Sequence, residues 1–147
     1  MVYPAIVTAE DSVVLAQTIS MKLGAYYYKA SVSARTASGK GVTLAAGLTT
    51  FGAPEIRRDE ERGSLNVVEM IEGTGERVGS SLVADKACFK GFASCGQDEL
   101  VLLDLPEGAC AEFFAGAAWS RDSRFDPFSR RWPRITAEAT FESILGQ

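Results

Sequence analysis

Short runs of alternating apolar and polar residues follow one another along this chain, separated by turn-forming residues. Between Ser12 and Lys22, Val13, Leu15, Ile19 and Met21 take odd positions while Ser12, Ser20 and Lys22 take even ones. A period of two puts alternate side chains on opposite faces of a strand. Ala5 to Thr8 is a shorter apolar piece before it, with a turn at Glu10-Asp11-Ser12, and Gly24 breaks the run. Tyr26-Tyr27-Tyr28 opens a long strand to Thr36, since aromatic and β-branched residues suit a pleated surface. Ala37 to Gly41 reads as a hairpin turn by composition. Val42 to Thr50 is the next strand, and Gly47 inside it marks a bulge or a close backbone approach.

Gly52-Ala53-Pro54 ends that strand. Glu55 to Arg62 carries both signs of charge and no apolar face, the pattern of a solvated loop or of an edge strand protected by charge. Ser64–Ile71, Arg77–Ala84, Cys88–Ser94, Glu99–Leu105 and Ala109–Trp119 complete the strands. Turns fall at Glu72–Glu76 and Gly96–Asp98, and a last hairpin turn at Pro106–Gly108. No helical period occurs before residue 126, so the pattern is that of an antiparallel sandwich or barrel. Past Asp126-Pro127, Pro133 can open a helix, with Ala137, Phe141, Ile144 and Leu145 on one face and Gly146 as its stop. The same stretch also alternates, Ile135, Ala137, Ala139 and Phe141 against Thr136, Glu138, Thr140 and Glu142. The helix over 133–145 is the reading taken, with a strand over 135–141 as its alternative.

Composition narrows the chemistry. The chain has 147 residues, 46% hydrophobic and 23% charged, which suits a single globular domain over 1–147. The net charge of −4 argues against general nucleic-acid binding, despite the local arginines 121, 124, 130, 131 and 134. Histidine is absent, which excludes Ser-His-Asp and Cys-His catalysis within this chain. It also speaks against an intrinsic zinc site, so no metal and no cofactor is expected. The three cysteines, Cys88, Cys95 and Cys110, read as buried free thiols, the alternative being a Cys88–Cys95 disulfide across a hairpin. No signal peptide opens the chain, and no run of about 18 apolar residues exists to span a membrane as a helix.

Three stretches together resemble the bacterial domain of unknown function 4861 family, over its C-terminal part. They are Leu15–Ser20 with Leu44–Gly52, then Val78–Val83, then Phe114–Phe125 with Trp132 beyond, the last being the most specific. That family looks like the galactose-mutarotase-like β-supersandwich group and occurs with polysaccharide-degrading enzymes. The resemblance implies a mainly β fold: an antiparallel β-sandwich, supersandwich-like and partial, with one C-terminal helix. Mutarotase-like catalysis uses histidine with a carboxylate, and that chemistry does not carry over to a chain without histidine. Members are longer and typically exported, so the resemblance also implies that an N-terminal portion is missing here.

The loop from Trp119 to Phe125 is the first candidate site. Trp119 can stack on a sugar ring, Arg121 and Arg124 can hold a uronate carboxylate, and Asp122 can accept from hydroxyls. Tyr26 and Tyr28 share one strand face and can form a second platform. Glu112 lies in the strand that leads to the loop. Each also has a structural role open to it: aromatic core, or surface ion pair. Three functions follow: a carbohydrate-associated domain binding acidic oligosaccharide, an enzyme working through Glu and Asp, or a non-catalytic assembly module. The third needs a second copy or the missing N-terminal portion to cover an exposed sheet.

Overall fold

The computed structural model describes residues 1–3, 5–7, 11–23, 25 and 27–119. The C-terminal helix or strand expected over 133–145 lies outside the described residues. Ten strands are present: β1 (Ile6–Val7), β2 (Ser12–Ser20), β3 (Tyr27–Thr36), β4 (Val42–Thr49), β5 (Glu55–Asp59), β6 (Ser64–Ile71), β7 (Glu76–Ala84), β8 (Phe89–Cys95), β9 (Asp98–Leu105) and β10 (Cys110–Trp119). The chain is mainly β, with two antiparallel sheets and no helix among the described residues.

The larger sheet has seven strands in the order β1-β2-β3-β10-β7-β6-β5, and the smaller has three in the order β4-β9-β8. Alternation decides which residues face the seam between them. Ala30, Val32 and Ala34 of β3, Phe113 and Ala115 of β10, Leu82 and Ala84 of β7, and Leu65 and Val67 of β6 point inward. They meet Val101, Leu103 and Leu105 of β9, flanked by Leu44, Ala46 and Leu48 of β4. Burying a side chain of this kind contributes about 1.5–3 kcal/mol, so this seam is the main source of stability. The opposite face of the large sheet is buried at its centre too, at Tyr27, Ser64, Ser81, Val83 and Phe114.

Two turns differ from the sequence reading. Ala37–Gly41 and Pro106–Gly108 are not hairpin turns: each carries the chain from one sheet to the other, β3 to β4 and β9 to β10. Gly41 sits at this crossing, where a Cβ would meet the Leu105 carbonyl oxygen at 2.9 Å. Gly47 makes no bulge, because β4 pairs with β9 without a break from Val42 to Thr49. It is a close approach instead, with Leu100 Cδ2 at 2.8 Å from where a Cβ would stand. The charged segment is the edge strand β5. All three cysteines are free; Cys88 is buried, whereas Cys95 and Cys110 are exposed, because both fall at strand ends beyond the seam.

Candidate functional site

Among the described residues, the three strands of the small sheet face seven of the large one, and β4 is an outer strand of the small sheet. Between them a cleft of about 310 Å³ opens to solvent. Its floor is Val32, Leu82, Phe113 and Ala115, and its walls are Leu15 of β2 and Leu44, Ala46 and Leu48 of β4. Tyr3, Gln17 and Tyr28 stand with them and supply the polar groups. The Tyr3 hydroxyl donates to Gln17 Oε1 at 2.7 Å. None of the described residues lining the cleft is charged.

The edge above this cleft is unusual among the four that the sheets present. A free strand edge invites pairing with another chain, and native edges are blunted by shortness, charge or bulges. β1 is two residues long. β5 carries Glu55, Arg57, Arg58 and Asp59. β8 has a register break around Lys90. β4, Val-Thr-Leu-Ala-Ala-Gly-Leu-Thr, is eight residues long, uncharged and regular in register. Its seam-facing residues are half-buried and its other residues are exposed. At the β1–β2 end of the large sheet, Val2, Ile6, Val7 and Ile19 are large apolar side chains left exposed.

The residues singled out from the sequence do not all reach this site. Tyr28 does, at 37% exposure on the cleft wall. Glu112 stands on the opposite face of the large sheet, paired in register with Ser31 of β3. Its carboxylate takes a 2.8 Å salt bridge from Lys29 and a 2.8 Å hydrogen bond from the Ser31 hydroxyl. The Lys29 hydrogen bond, aided by Ser31, lowers its pKa below the ordinary carboxylate range. Held as a paired anion, it is poorly suited to donate a proton. Trp119 ends β10, 42% exposed, and its indole N–H donates to Glu76 Oε2 at 2.8 Å. Tyr26, Arg121, Asp122 and Arg124 lie outside the described residues.

Sequence reasoning missed Leu15, Gln17 and the β4 edge. The signal was there in the uncharged run from Val42 to Thr49, but only the topology tells an edge strand from a central one. Among the described residues, no group of three His, Cys, Asp or Glu side chains could hold a metal ion. Comparison with family models and with curated proteins finds no match for this chain.

Proposed function

We propose that this chain is a non-catalytic assembly module, completed by further β-structure that adds at β4 and covers the cleft beneath it. One observation carries the reading. Among the edges of the two described sheets, the one that is long, regular and uncharged borders the apolar cleft that Leu15 of β2 and Tyr28 and Val32 of β3 help to line. Backbone pairing would satisfy the edge, and the added side chains would fill the cleft, as in other strand-addition complexes. The expected result is association of the purified chain at micromolar concentration, together with binding of an apolar dye. Ala46→Lys places a charge on the inner side of the edge, where the open cleft lets it reach water. That variant should keep its circular dichroism, melt somewhat lower because Ala46 packs against the seam, and lose both behaviours. A wild-type chain that stays monomeric and dye-free at tens of micromolar would sink the proposal.

A second reading rests on Trp119. Its ring is half-exposed and oriented by Glu76, the arrangement of an aromatic platform for a sugar face. The resemblance to a polysaccharide-linked family points the same way, toward acidic oligosaccharide. Trp119→Ala should abolish any tryptophan fluorescence change on adding pectin- or alginate-type oligosaccharides. No change in the wild-type chain would set this reading aside.

A further inference from the structure

We draw no further inference here: the strongest candidate, the row of buried side chains that Tyr27 of β3, Ser81 of β7 and Asn66 of β6 form on the face of the large sheet away from the small one, with Tyr27 and Ser81 both paired in register with Gly116 of β10, carries nothing, because nothing among the described residues shows what covers that face.

Discussion

Arg58 of β5 and Glu99 of β9 form an ion pair across the seam, and its removal gives a direct measure of how the two sheets are held together. Glu99 is only 8% exposed and faces inward in line with Val101 and Leu103. Its carboxylate takes a hydrogen bond from Arg58 Nη2, and the Ser94 hydroxyl lies 3.1 and 3.0 Å from its two oxygens. Arg58→Ala leaves that carboxylate with Ser94 alone. Breaking a fully buried pair costs about 3–5 kcal/mol. Here the Arg58 side chain is 40% exposed, so water compensates part of the loss. The expected destabilisation is about 2 kcal/mol.

Glu99→Gln keeps the shape and an acceptor for both partners, and should cost about 1 kcal/mol. If pairing is the cause, the double variant should cost about 1 kcal/mol less than the sum of the singles. Arg57→Ala is the control. Arg57 pairs with Glu55 on the exposed side of the same strand, and such a pair contributes at most about 1 kcal/mol. Urea unfolding followed by circular dichroism gives all four values. A loss below about 0.5 kcal/mol for Arg58→Ala, or strict additivity, would refute the claim that this pair pins the seam.

Other predictions follow from single residues. Gly63 has φ of 63° and a Cβ there would stand 3.3 Å from the Ala84 carbonyl oxygen, so Gly63→Ala should destabilise by about 1–2 kcal/mol in the same urea assay. Burial raises the Cys88 thiol pKa. A thiol-reactive dye at pH 8 should therefore label the exposed Cys95 and Cys110 quickly and Cys88 only as the chain unfolds. Glu112 has a lowered pKa in the folded state, so its contribution is present above the unfolded carboxylate value of about 4.3 and is lost as pH falls through the folded value. Lys29→Met should flatten this acid limb of the stability profile, by under about 1 kcal/mol for so accessible a pair.

The strands were legible because their cause is local. Alternation from Val13 onward, the aromatic opening of β3 and the apolar run of β9 each express a period that the sequence displays without help. The charged segment Glu55–Asp59 was legible as one of two options, and pairing with β6 decided for the protected edge. What composition could not carry is where a chain goes after it turns. Ala37–Gly41 and Pro106–Gly108 have the glycine, proline and polar residues of any reversal. Whether the next strand joins the same sheet depends on partners far away in sequence: β10 for β3, and β4 for β9.

The same limit explains why the candidate site shifted. Tyr28 is an aromatic on a strand and does line the cleft, but the other lining residues come from strands far apart in sequence, β2, β4, β7, β9 and β10 among them. Glu112 precedes Trp119 on the same strand, yet strand parity sends it to the face of the sheet away from the cleft. β4 shows the point most sharply. In a central position its eight uncharged residues would be ordinary core, as those of β9 largely are. At an edge the same residues leave alternate backbone amides and carbonyls without strand partners among the described residues, beside an apolar cleft. The assembly reading thus rests less on the residue types of β4 than on its having one strand partner among the described residues. A single charge at Ala46 should therefore abolish the chain's association while leaving it folded, at some cost in stability because Ala46 packs against the seam.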